Sequence, residues 1–174
     1  PMTADVIYLD IFFNEPDNRP LVVQYFMERP YRIMHLLKAS VNTELEHPIP
    51  MRAAWIVSHI GQDHPSFLQN YYGELIESIF LCTTDSPLRS LTKALNHLKI
   101  TDHRIGELYE FCFQHASDTQ RAVAFRVNCL YILQSISQRI PELFPELKNL
   151  AEIIQDNATE ASLKAVVRKI LKKK

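Results

Sequence analysis

The chain has 174 residues, a formal net charge of −1, 47% hydrophobic residues and 22% charged ones. That length sustains an ordinary hydrophobic core without a disulfide or metal staple, and the balance of charge and apolar content excludes a disordered polyelectrolyte. The longest unbroken apolar runs, such as 53–57 and 79–82, fall far below the roughly 18 residues of a membrane-crossing helix, and three glycines cannot supply a phosphate-cradling loop or a dinucleotide fingerprint.

Residues 1–13 carry Asp5 and Asp10 and lack a basic start ahead of an apolar stretch, so no secretory signal is expected there. A short helix is predicted over 6–13. Prolines 20 and 30 then open two segments, 20–29 and 30–41, which read as a divergent capping hairpin and make 1–45 an N-terminal cap.

Beyond residue 45 one pattern dominates. Ala53, Ile56, Val57 and Ile60 reappear at a 38-residue spacing (53 to 91 to 129) as Leu91, Ala94, Leu95 and Leu98, then as Cys129, Ile132, Leu133 and Ile136. A partial fourth copy reads Val167, Ile170, Leu171. Within each copy the side chains share one face of an α-helix, and a fixed period between copies is the mark of stacked helical hairpins. First helices are predicted near 50–63, 87–99 and 121–139, with second helices near 66–82, 103–115 and 145–155 returning antiparallel beside them. Ser86, Asp118 and Thr159 are the expected N-caps. The repeats occupy 46–158, and a capping helix closes 159–174. Cys82, Cys112 and Cys129, odd in number and set among Phe, Leu and Tyr, suit reduced core thiols and a cytoplasmic location.

The run Met51-Arg52-Ala53-Ala54-Trp55-Ile56-Val57-Ser58-His59-Ile60, followed by His64-Pro65, resembles HEAT-like repeats of the armadillo type. Further matches are Gly106-Glu107-Leu108-Tyr109-Glu110-Phe111-Cys112-Phe113, Ala122-Val123-Ala124-Phe125, Ile140-Pro141-Glu142-Leu143 and the closing Val167-Arg168-Lys169-Ile170-Leu171-Lys172. Over residues 45–174 the chain looks like a group of small bacterial HEAT-like proteins without assigned activity. The resemblance implies an all-α, right-handed α-α superhelix of about four antiparallel helix pairs, one domain over 1–174. For function it implies little, since such scaffolds host many roles, and it supplies no catalytic residue to carry over; the repeat architecture and the missing catalytic motifs lead to the expectation of a non-catalytic binding or scaffold role.

Glu74 and Glu77 on one second helix recur as Glu107 and Glu110 on the next, and the first of them again as Glu146. If second helices line a concave surface, these carboxylates form a ladder suited to a basic protein or peptide. The plainer reading is a solvated face of strong helix formers. Tyr71 and Tyr72, at the start of the same helix as Glu74, are either packing area or rings presented to a groove, and Trp55 has the same two readings. His59 and Asp63 at an i, i+4 spacing offer two ligands where zinc takes three or four, so no metal and no cofactor is expected. Lys164, Arg168, Lys169, Lys172, Lys173 and Lys174 suit the C-terminal end of a helix dipole, or else contact with nucleic acid or anionic lipid. Some HEAT-like proteins are alkylpurine DNA glycosylases, which makes DNA binding the alternative function. The absence of a continuous basic stripe and the acidic predicted face weigh against it, and no membrane partner is expected.

Overall fold

In the computed structural model of this chain residues 18–172 are described; the helix expected over 6–13 and the last two lysines lie outside them. The described residues form 10 α-helices and no strand. The fold is an all-α helical repeat. Helices α1 (Arg19–Met27), α2 (Ile33–Val41), α3 (Ile49–Asp63), α4 (Pro65–Gln69), α5 (Tyr72–Leu81) and α6 (Asp85–Leu95) belong to one compact unit, which ends at Leu98. Helices α7 (Ile105–Ser117), α8 (Val123–Arg139), α9 (Phe144–Asn157) and α10 (Ala161–Lys172) belong to a second, Lys99–Lys174.

Prolines stand in the first turns of α1, α3, α4 and α9, where the missing N–H has no intrahelical acceptor to lose. The recurring apolar positions fall on α3, α6, α8 and α10, with Leu98 just beyond the end of α6. All are buried except Leu171, which is half-exposed. In the first unit α3 and α6 pack along each other, with α2 against α3 and α5 and with α1 against α3. Gly61 allows the close approach, since a Cβ there would stand 3.2 Å from the Ala94 carbonyl oxygen and 3.1 Å from Leu68. In the second unit α8 is the central helix, covered by α7, α9 and α10. The closest hairpins run from a second helix to the first helix that follows it at α2 to α3, α7 to α8 and α9 to α10, whereas α5 meets α6 less extensively and α6 packs chiefly on α3. That phase differs from the pairing expected within each repeat copy.

Several boundaries also differ. The helix expected over 66–82 is broken into α4 and α5 between Gln69 and Tyr72, and the backbone leaves helical values at Tyr71 (φ −111°, ψ 22°). Asn70 and Gly73 are weak helix formers on either side of the break. The helix expected over 87–99 starts at Asp85 and stops at Leu95; two tight backbone bonds, His97 N–H to Ala94 and Leu98 N–H to Leu95, keep Leu98 buried beyond its end. None of the three expected N-caps holds its place. Thr84 takes the position given to Ser86, and Ala122 that given to Asp118. Asp118 accepts instead from the Gln120 amide at 2.9 Å, an Asx turn inside the α7–α8 loop. Thr159 donates its amide to the Glu160 carboxylate at 3.2 Å, and Glu160 precedes the closing helix.

Candidate binding surfaces

The carboxylates singled out in the sequence are exposed, but they are not alike. Glu74 and Glu77 lie on α5 of the first unit, Glu107 and Glu110 on α7 of the second, and all four side chains face solvent. Glu107 is bound by Arg104, whose Nε donates at 3.0 Å and whose second nitrogen forms the other prong. That pairing holds the Glu107 carboxyl below its usual range. Glu146, the third rung, accepts from the Tyr109 hydroxyl at 2.9 Å and ties α9 to α7. Burial first, and then the neighbouring carboxylate, push the Tyr109 phenol above its ordinary value.

The aromatic candidates go mainly into packing. Tyr72 is buried, with 4% of its surface exposed, so its ring does not meet solvent. Tyr71 is half-buried and donates to the Pro30 carbonyl at 2.9 Å, pinning the α4–α5 break to the turn before α2. Trp55 is half-buried on α3, edge-on to His59 with ring centroids 4.0 Å apart. Lys169 donates to the Tyr131 hydroxyl at 3.0 Å and so uses one of the C-terminal cations inside the second unit. No group of three or more His, Cys, Asp or Glu among the described residues is placed to hold a metal ion, and the three cysteines are buried free thiols. No helix among the described residues is long and apolar enough to cross a membrane.

The feature that sequence reasoning missed is a groove of about 510 Å³ in the second unit. Phe113 and Ser117 at the end of α7, Thr119 in the following loop and Arg126 on α8 line one side of it. Glu146, Asn149, Leu150, Ile153, Ile154 and Asn157 on α9, with residues 158–160, line the other. Leu150 and Ile154 are buried, whereas Ile153 is 60% exposed. The groove therefore combines an apolar wall with amide and hydroxyl side chains, at a volume within the roughly 300–1,000 Å³ of ordinary ligand sites.

Arg126 gives the groove its chemistry. Only 7% of the residue is exposed, and its Nε donates to the Ala116 carbonyl at 3.0 Å, which caps the last turn of α7. Among the described residues no carboxylate pairs with the guanidinium. A charge this deep is normally paired, because burying it alone costs several kcal/mol, on the order of the desolvation of a single ion. One sequence signal was available. Between Ala122 and Leu133 Arg126 is the sole charged residue in a mostly apolar stretch.

A family model described as a HEAT repeat domain matches residues 22–174. Comparison with curated proteins and with solved structures yields no match.

Proposed function

The chain belongs to the HEAT repeat family, whose repeats generally mediate protein–protein interaction or scaffolding, and from that premise we propose that it is a non-catalytic domain that binds a protein or peptide segment. The observation that carries this reading is the open groove of the second unit, with an apolar wall that includes solvent-exposed Ile153 and a border of amide and hydroxyl side chains. An extended segment needs both: apolar side chains need a wall, and its backbone needs donors and acceptors along the way. The exposed carboxylates Glu74, Glu77, Glu107 and Glu110 supply negative field that steers a basic partner toward the chain, an effect that acts on association rate more than on final affinity. Tyr71 and Tyr72 serve by holding α5 in place rather than by touching the partner.

Selection of peptides from a displayed library on the wild-type chain, followed by rebinding to Ile153→Asp, tests the reading. Loss of binding with an unchanged melting temperature is expected, because Ile153 is a surface residue. Peptides that bind both proteins equally would remove the groove from the account.

A further inference from the structure

We propose that the groove of the second unit reads the free C-terminal carboxylate of an apolar-ended peptide, with Arg126 as the group that receives it. The inference rests on the peptide-binding reading above and adds the chemistry of the segment. Arg126 is more than nine-tenths buried and lines the groove, and its Nε is committed to the Ala116 carbonyl. The guanidinium is thereby held in a fixed plane, and a carboxylate matches its remaining N–H donors in a two-pronged arrangement.

The neighbours decide which anion fits. Glu146 and Glu160 also line the groove, the first accepting from Tyr109 and the second from the Thr159 amide. Two carboxylates repel a compact multivalent anion such as phosphate, but they accept hydrogen bonds from the backbone N–H groups that accompany a peptide terminus. Asn149 adds a group that both donates and accepts. At a chain terminus the carboxylate and an apolar side chain leave the same Cα, so one residue meets Arg126 and the buried wall of Leu150 and Ile154 together. An internal acidic residue offers the charge without that neighbouring apolar group.

The test uses pools of hexapeptides whose last three positions are randomised over apolar residues, made once as free acids and once as C-terminal amides, and applied to the full chain. Retention of the acid pool is expected, with binding of the amide pool weaker by about ten-fold or more, since hydrogen bonds to a charged group carry that difference. Arg126→Gln should abolish the preference. Because that change touches a buried residue, Asn149→Asp at the exposed rim provides an independent variant, expected to weaken the acid pool several-fold more than the amide pool; equal weakening of the two would count against the assignment. Equal retention of both pools would overturn the carboxylate assignment and leave peptide binding standing. Binding of octanoate with no retention of the acid pool would overturn it as well, because the occupant would then be a small free acid. If neither pool binds while peptides selected for internal sequence do, the inference fails alone.

Discussion

Gly61 and Gly106 lack the same atom with opposite consequences. At Gly61 an added methyl would press on Leu68 and on the Ala94 backbone, at 3.1 to 3.3 Å, where α3 meets α6. Gly61→Ala should therefore cost about 1–3 kcal/mol in urea denaturation, as overpacking does when backbone must move. At Gly106, in the first turn of α7, an added Cβ meets nothing within 4 Å, and Gly106→Ala should stabilise by about 0.4–1 kcal/mol through the unfolded chain. Tyr109→Phe removes the hydroxyl from which Glu146 accepts, and a double-mutant cycle with Glu146→Ala, which removes the acceptor, should return a coupling of about 1 kcal/mol. A coupling near zero would mean that the α7–α9 link carries no stability.

Two histidines give the first unit a pH dependence. His59 and His97 both ionise below the ordinary 6.5, chiefly because burial disfavours the charged ring, with Arg19 adding at His59 and Lys93 at His97. In the window below 6.5 the unfolded chain binds the protons that the folded chain refuses, so stability is present above that pH and falls as the solution is acidified through it. Trp55, the single tryptophan, lies against His59 and reports the event directly. Its emission should titrate with a midpoint below 6.5, and His59→Gln should remove most of the change. An unaltered titration in that variant would assign the transition elsewhere.

At the scale of the element, the repeat itself grades the cost of truncation. Leu133 and Leu171 hold the same place in successive copies, yet Leu133 is fully buried on the central helix α8 while Leu171 is half-exposed near the end of α10. Leu133→Ala should cost about 2–5 kcal/mol, and Leu171→Ala about 1 kcal/mol or less, read from the midpoints of denaturant unfolding. Helix faces such as Ala53 to Ile60 were legible in the chain because their period follows from backbone geometry alone. Helix ends were less so. The break at Asn70, the stop after Leu95 and the caps at Thr84 and Ala122 depend on what the flanking segments pack against, which local sequence does not state. The acidic positions were legible as exposed residues, but not their unequal partners: the bond from Arg104 to Glu107 is local to the start of α7, three residues apart, whereas that from Tyr109 to Glu146 forms only once α7 and α9 are side by side. Arg126 shows the same limit, since its isolation as the one charge in a mostly apolar stretch is visible while the groove it lines is assembled from three helices and two loops.

At the scale of the whole molecule, the family match spans both compact units, and each is an all-α packing of the same kind of hairpin. Apart from half-exposed Leu171, the recurring face of every copy is buried in its own unit, and the surfaces proposed for recognition, the exposed carboxylates of α5 and α7 and the groove around Arg126, lie outside that pattern. Such a division lets one scaffold change partners by changing residues that carry little of its stability. The most direct measurement is an isotope-edited NMR titration of the full chain with the free-acid hexapeptide pool. The account predicts shifts concentrated at Phe113, Thr119, Arg126, Asn149, Ile153 and Asn157, with the peptides recovered unaltered. Shifts confined to the first unit, or conversion of the peptides to product, would contradict it.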